Sequence, residues 1–258
     1  MTAALSLPIW MINLDRATER RARMEAQFET MGLTVTRIAA IDGKAEAARI
    51  APMADTARFT ALMGRPPLAA ELGCYLSHLE AWRQLIDSGA EVGLVLEDDV
   101  VFHDNFLPAV AAALTVRDQW DMLKLNRIRA KLPLRQGRVQ DWQLNAYLGP
   151  ATGFGAYLIT AELAARLLPR LLPIRLPIDY EATRFFEHDF RLIGLEPFPS
   201  HVDDGGNSTI TGQNFAEVVK PRRHKRLGNY AMRAGNYLRR AYWLSRRGML
   251  AAWKRNWL

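Results

Sequence analysis

Short apolar runs alternate along this chain with longer stretches whose apolar residues recur at three- and four-residue steps. That is the pattern of buried strands separated by amphipathic helices. Residues 8–14, with Ile9, Trp10, Met11 and Ile12, predict a first strand. In the charged segment that follows, Met24, Phe28 and Met31 keep helical spacing until Gly32, a residue suited to ending a helix. Residues 33–41 predict a second strand, closed by the turn signal Asp42-Gly43-Lys44. Strand, helix and strand at this spacing form a βαβ unit, the start of a parallel sheet of the nucleotide-binding kind. Residues 45–67 show no clear period and are expected to loop over one edge. Leu72, Tyr75, Leu76, Leu79, Trp82, Leu85 and Ile86 then predict a helix over 68–88, closed by Gly89. Further on, the pattern predicts an Ala-rich helix over 105–116, a strand over 120–125, a basic loop or irregular hairpin over 127–143, and a helix over 161–172 stopped by Pro173.

The most informative stretch lies between the two middle helices. Val92-Gly93-Leu94-Val95-Leu96 runs straight into Glu97-Asp98-Asp99, and an apolar run resumes at Val100. A short continuous apolar run reads as a strand buried on both faces, so its end falls in the crevice where α/β proteins bind ligands. Three adjacent carboxylates repel one another and are costly to desolvate without a cation. A hard divalent ion, Mg²⁺ or Mn²⁺, relieves that repulsion and shares its shell with substrate phosphates. An acidic turn in water is the plain alternative, and the buried strand in front of the acids favours the metal.

With 258 residues the chain can bury a substantial core as one large domain or two small ones. Its one cysteine, Cys74, excludes an internal disulfide and a cysteine-based zinc site and fits a reducing compartment. Among large apolar neighbours, Cys74 is expected to be an inert core residue. The apolar start is interrupted by Pro8 and Asn13 and lacks a basic region before it, so it does not read as a signal peptide. No stretch has the apolar length needed to span a bilayer, and the expectation is a cytoplasmic protein. The net charge of +7 is unevenly placed: from Lys220 onward there are 12 Lys or Arg and no Asp or Glu. That tail repeats every seven residues, with Arg226, Arg233, Arg240, Arg247 and Lys254 in one series and Trp243, Leu250 and Trp257 in another. On a helix the two series form separate basic and aromatic stripes. Such a helix suits an anionic membrane surface, packing on the body of the protein, or a nucleic-acid arm.

Several segments together resemble glycosyltransferase family 25, the bacterial lipopolysaccharide sugar transferases related to collagen galactosyltransferases. The matching residues are Ile12-Asn13-Leu14-Asp15-Arg16 with Glu19-Arg20, Ile41-Asp42-Gly43, Glu71-Leu72-Gly73-Cys74 with Leu76-Ser77-His78 and Trp82, and Leu94 through Val100. Weaker matches are Leu123-Lys124-Leu125, Gly155-Ala156-Tyr157-Leu158-Ile159 and Pro177-Ile178-Asp179. The resemblance covers roughly residues 7 to 210 in family order and leaves the basic tail outside. It implies a GT-A type α/β fold, a Rossmann-like mixed sheet flanked by helices, over residues 1–217, while residues 218–258 are expected, from their own seven-residue repeat, to form a basic amphipathic helical tail. It also implies a nucleotide-sugar donor, a divalent ion and inversion at the anomeric carbon. A UDP-hexose is the expected donor, galactose the expected sugar, and lipopolysaccharide, lipooligosaccharide or another surface glycan the acceptor. A lipid-linked acceptor favours the membrane reading of residues 220–258, on the inner face of the plasma membrane, with no nucleic acid expected.

Under that resemblance the carboxylates look like a DxD-type signature, with Asp99 the direct metal ligand and Glu97 or Asp98 holding the ribose or a metal-bound water. Asn13, Asp15, Arg16 and Arg20 stand where an amide or carboxylate reads a uracil edge and Arg meets phosphate. Asp15 and Glu19 also suit a plain helix start. Asp42 and Gly43 match the family but also fit an ordinary turn. Ser77 fits a phosphate contact, and both Ser77 and His78 fit a packing role mid-helix equally well. Asp179 is the expected general base, an N-cap being the alternative. Glu187 and Asp189 are the reserve base candidates, and His201, with His188 or Asp203 as substitutes, a late metal ligand. Two rivals stand beside this reading. A nucleotidyltransferase on the same kind of sheet would carry a Gly-rich phosphate loop near the N-terminus. A non-enzymatic membrane or nucleic-acid binder would leave the acids behind a buried strand without a purpose.

Overall fold

The computed structural model describes residues 6–203 and 227–250. The apolar runs form strands where they were expected. β1 (Ile9–Asn13) is buried throughout, β2 (Thr36–Ala39) pairs with it in parallel, and β3 (Val92–Glu97) lies parallel on its other side. Between them come α1 (Thr18–Met31), which buries Met24 and Phe28, and α4 (Ala69–Asp87). Gly32 and Gly89 both take left-handed backbone at the ends of these helices, the conformation in which a Cβ is penalised.

Residues 45–67 correct the expected loop. They contain α2 (Ala47–Ile50) and α3 (Thr56–Met63), the latter capped by Asp55, whose side chain accepts from the Arg58 amide. These helices are too short for a period to be read, and single residues, Ile50 and Phe59, anchor them. After β3 the chain turns through Asp98 and Asp99 into β4 (Val100–Phe102), then α5 (Phe106–Thr115) and β5 (Met122–Lys124). The basic segment is a hairpin of β6 (Pro133–Val139) and β7 (Trp142–Tyr147), with an irregularity between Arg135 and Gly137. Then follow β8 (Ala156–Thr160), α6 (Ala161–Leu167), α7 (Ile178–Glu181), α8 (Phe185–His188), β9 (Leu192–Glu196), β10 (Ser200–Val202) and α9 (Leu227–Arg246).

Eight strands form one mixed sheet in the order β2-β1-β3-β8-β5-β9-β7-β6, and β10 with β4 makes a separate antiparallel ribbon. The chain steps from β1 to β2 in one direction and from β2 past β1 to β3 in the other. Right-handed crossovers therefore put α1 and α4 on opposite faces, and the order reverses at the carboxyl ends of β1 and β3. A crevice opens at such a switch point. β8 runs antiparallel to β3 and β5 antiparallel to β8. The ends of β1, β3 and β5 and the beginning of β8 therefore share one edge of the sheet.

The basic tail helix does not stand apart. Trp243 and Leu244 are buried in the core, and the Trp243 ring meets Phe185 edge-on at 5.0 Å. Trp243 Nε1 donates to Asp189 at 2.8 Å, and Asn229 Nδ2 donates to the Leu62 carbonyl at 3.0 Å. Of the aromatic series expected to face a membrane, Trp243 is turned inward. Arg240 of the basic series is buried too, with its guanidinium 5.3 Å from the Phe186 ring. The expected boundary at 217–218 and the positions Arg226, Lys254 and Trp257 lie outside the described residues.

Trp243→Ala removes a large side chain from this seam, and such changes cost about 3–5 kcal/mol in a core. The melting temperature should drop by several degrees, since about 1 kcal/mol corresponds to about 2–4 °C at this size. An unchanged melting temperature would show that α9 does not stabilise the body.

Candidate functional site

A cleft of about 430 Å³ opens at the switch point, lined by residues from β1, the loop after β2, α4, the acidic turn and the start of β8. Asn13, at the end of β1, ties the first two strands to the acidic turn. Its Nδ2 donates to Asp98 Oδ2 at 2.7 Å, and its Oδ1 accepts from Arg37 Nε at 3.0 Å. Arg20 on α1 pairs with Asp98 at 3.0 Å and with Asp99 at 3.5 Å. Both oxygens of Asp98 are thereby engaged, so this residue fixes the turn. Backbone contacts complete it: the Asp203 amide donates to the Asp99 carbonyl at 2.8 Å.

Asp99 is different. Its Oδ1 is buried with no hydrogen-bond partner. Burial and the neighbouring charges of Glu97 and Asp98, opposed by Arg20, push its carboxyl up to about 8. A divalent cation would offset the repulsion from Glu97 and Asp98 and supply the missing partner. The donor set therefore fits a hard ion, with Asp99 the carboxylate that has an oxygen to offer.

Glu97 is held from behind. Trp82 Nε1 donates to the Tyr157 hydroxyl at 2.8 Å, and His78 Nδ1 lies 2.9 Å from the same oxygen. His78 Nε2 lies 3.0 Å from Glu97 Oε1. One arrangement satisfies every group: Tyr157 donates to Nδ1, and the neutral His78 donates from Nε2 to Glu97. Cys74, His78 and Glu97 bring ligand atoms within 4.8 Å of one another. With both His78 nitrogens engaged and burial pushing the Cys74 thiol well up, the trio is a hydrogen-bonded support for Glu97. His78 thus positions a carboxylate and does not line the cleft.

The other expected residues divide. Arg16, Arg20, Asp42, Gly43, Ser77, Glu97, Asp98 and Asp99 all line the cleft. Arg16 pairs with Asp42 at the wall, and a Cβ on Gly43 would collide with the Ala69 carbonyl of α4. Only glycine lets the 41–43 loop lie this close. Ser77 is committed to that loop: it donates to the Gly73 carbonyl at 2.7 Å and accepts from the Ile41 amide at 2.9 Å. It anchors the wall and has no proton left for a phosphate. Asp15 does not line the cleft and pairs with Arg37.

His201 departs from its expected place. On β10 its neighbour Val202 lines the cleft, and alternate residues of a strand face opposite ways. The His201 ring meets His103, with Nδ1 and Nε2 2.9 Å apart. Glu187 and Asp189 are not among the lining residues either. Glu187 pairs with Arg184 and Arg239, and Asp189 with Arg247, so both fasten α9 to the body. His188 is buried against Glu181 at 3.0 Å. Asp179 sits at the start of α7 and is not among the residues that line the cleft. The Gly153 amide donates to its Oδ2 at 3.4 Å, and Phe154, the next residue, lines the cleft. Burial raises the Asp179 carboxyl, against the Gly153 amide and the nearby Lys124.

Three residues had no role assigned from the sequence. Lys124 is fully buried and donates to the Gly153 carbonyl. Burial draws its ammonium down to about 8, while Asp179 and Glu97 oppose the fall. Asn126, just past β5, is fully buried with both amide atoms unpartnered. A Cβ on Gly155 would collide with it, so glycine there makes room for the amide. Arg127 lines the cleft with its guanidinium 5.5 Å from the Phe198 ring. Lys124 lies in a strand-like run that matches the family only weakly and Asn126 just past it, and their place at the shared sheet edge brings them to the site.

The model of a family described as "Glycosyltransferase family 25 (LPS biosynthesis protein)" matches residues 6–181, which include β1, the acidic turn and Asp179. Procollagen galactosyltransferase 2 of Homo sapiens is 31% identical over 140 residues, covering 48% of this chain and 21% of that protein. A glycosyltransferase 25 family member of Aedes aegypti is 30% identical over 170 residues, covering 62% and 27%. A probable inactive glycosyltransferase 25 family member 3 of Rattus norvegicus is 30% identical over 127 residues, covering 46% and 22%. The chain thus spans between 21% and 27% of the length of these relatives.

The raised Asp99 carboxyl has a consequence for stability. A group whose folded value lies above its unfolded one favours folding at low pH, and that contribution is lost as pH rises towards about 8. Asp99→Asn should therefore raise the melting temperature of the metal-free protein, with a gain that is small near pH 4 and grows to about pH 8. A gain absent at every pH would mean that Asp99 is not burdened by its surroundings.

Proposed function

The chain belongs to glycosyltransferase family 25, and on that premise we propose that it transfers a hexose from a nucleotide-sugar donor to a glycan acceptor in the cleft at the ends of β1 and β3. The observation that carries this reading is the buried, unpartnered Asp99 oxygen at the switch point, with Arg16, Arg20 and Arg127 on the same cleft. The donor in this reading is a UDP-hexose bound in a GT-A type fold. Galactose is favoured because two human and zebrafish relatives are named procollagen galactosyltransferases. The acceptor is a lipopolysaccharide, lipooligosaccharide or other surface glycan, as the family's description suggests. The enzyme then works on the inner face of the plasma membrane, held there through its basic C-terminal segment.

Mg²⁺ or Mn²⁺ would be held by Asp99 with help from Glu97 and would neutralise the donor diphosphate and stabilise the departing nucleoside diphosphate. Arg16 and Arg127 offer planar, bidentate donors to phosphate oxygens. Arg20 and Asn13 keep Asp98 fixed, which holds Asp99 in register beside it. Ile12, Leu14, Ala40 and Ile41 give the cleft an apolar wall against which a base can lie. For inversion, a base must take the proton of the acceptor hydroxyl as its oxygen attacks the anomeric carbon. Asp179 is assigned that role. Burial raises its carboxyl, and it lies next to the wall residue pair Gly153-Phe154.

A panel of nucleotide sugars tested by thermal shift, with and without Mn²⁺, should single out one UDP-hexose. Ligand at about 100 times its Kd adds about 2.7 kcal/mol, which is several degrees here. No stabilisation by any nucleotide sugar would remove the donor assignment. Asp99→Asn should abolish both transfer and the Mn²⁺-dependent part of that shift, with the fold intact by circular dichroism. Asp179→Asn should lower kcat by about 10²–10⁴ while donor affinity stays nearly unchanged. If affinity falls in step with turnover, Asp179 is a donor contact or a cap and not the base.

A further inference from the structure

Helix α9 spends one face on the body of the protein and carries a second apolar stripe on the opposite side. Its buried residues are Asn236, Arg240, Trp243 and Leu244. At 3.6 residues per turn, Leu227, Ala231, Ala234, Leu238, Tyr242 and Ser245 fall within a band about 80° wide facing away from them. All six are exposed. Leu238 is 74% exposed, Leu227 67% and Tyr242 65%, and Tyr230 beside the band is 42% exposed. Among the described residues, four of the seven exposed large hydrophobic side chains are on this one helix. A surface helix normally turns polar residues outward, so this stripe calls for an occupant.

We propose that the outward stripe of α9 is a membrane-contact surface, which lies in the plane of an anionic bilayer and inserts Leu227, Leu238 and Tyr242 at the interface. The charge around it selects that occupant. Arg239 and Arg246 flank one side of the stripe, and Arg239 also pairs with Glu187. The Arg246 guanidinium lies 5.9 Å from the Tyr242 ring. From Lys220 to the end the sequence holds 12 basic residues and no acid, which matches a field of anionic headgroups. The same density of like charge disfavours pairing of the stripe with a second copy of itself. Long Arg side chains reach headgroups while their stems cover the apolar band. Helix α9 and the residue after it are also fastened to α8 and its end by Arg239–Glu187 and Arg247–Asp189, so docking there fixes the orientation of the body on the bilayer. No helix among the described residues is long and apolar enough to cross a membrane.

The surface is a property of α9 alone, whereas its purpose rests on the proposed membrane-borne acceptor. Binding is therefore measured without nucleotide sugar or acceptor, and its failure would leave the transfer reading standing. The full chain is sedimented with vesicles of phosphatidylcholine, and with vesicles in which about one-third is phosphatidylglycerol. It should bind the anionic vesicles, bind neutral ones at least tenfold less, and release in high salt. Leu238→Glu with Tyr242→Glu should weaken anionic binding at least tenfold without moving the melting temperature. Leu238→Ser with Tyr242→Ser, which adds no negative charge, should weaken it in the same direction. Binding by both double variants equal to the parent's would mean that charge alone acts and would overturn the stripe assignment. So would equal binding to neutral vesicles. A dimer by light scattering that either double variant dissolves would make the stripe a contact between copies, and would overturn the proposal as well.

Discussion

Three consecutive carboxylates at the end of a fully buried strand are the constraint to which much of the cleft answers. Left alone, Glu97, Asp98 and Asp99 would repel one another in a poorly solvated crevice. Each is handled differently. Asp98 is fixed by Asn13 and Arg20, which joins β1, α1 and β3 at one point. Glu97 accepts from a relay of buried donors that starts at Trp82 on α4 and passes through Tyr157 on β8. Asp99 keeps one oxygen unpartnered. The strain of the cluster is thus concentrated on a single atom.

A second polar layer lies beneath the first. Lys124, Gly153 and Asp179 are linked through one glycine residue, whose carbonyl takes the ammonium and whose amide reaches the carboxylate. Phe154, the next residue, packs at a tilt against Tyr157 at 4.3 Å and meets His78 edge-on at 5.3 Å. The cleft wall therefore rests on both layers at once. A buried ammonium and a buried carboxylate are expensive separately, and their proximity limits the cost of each.

Helix α9 illustrates how a periodic sequence admits two geometries. A seven-residue repeat separates stripes on a helix but does not say which stripe meets the protein. The Trp243 position was filled by the Phe185 ring and the Asp189 carboxylate, neither of which is near it in sequence. Glu187 and Asp189, which read in the chain as reactive acids, are the counter-charges that this helix requires.

By itself the sequence determined what depends on local order. The buried strands, the two long helices at 18–31 and 69–87, and the acidic turn behind β3 follow from periods and runs that neighbouring residues carry together. Asp99, Asp98, Arg20 and Asn13 were legible because they end strands or begin a helix at the crevice. Tertiary structure alone decided what depends on residues distant in the chain. It gave Ser77 to the Ile41 loop, turned His201 towards His103, and placed His78 behind Glu97. It also buried Lys124 and Asn126, whose polar ends are invisible in a strand-like run. The physical reason is common to all of these. A side chain's propensity and periodicity are set within a few residues, whereas its partner, its burial and the charge it meets are set by whichever strand end or helix face the fold brings alongside.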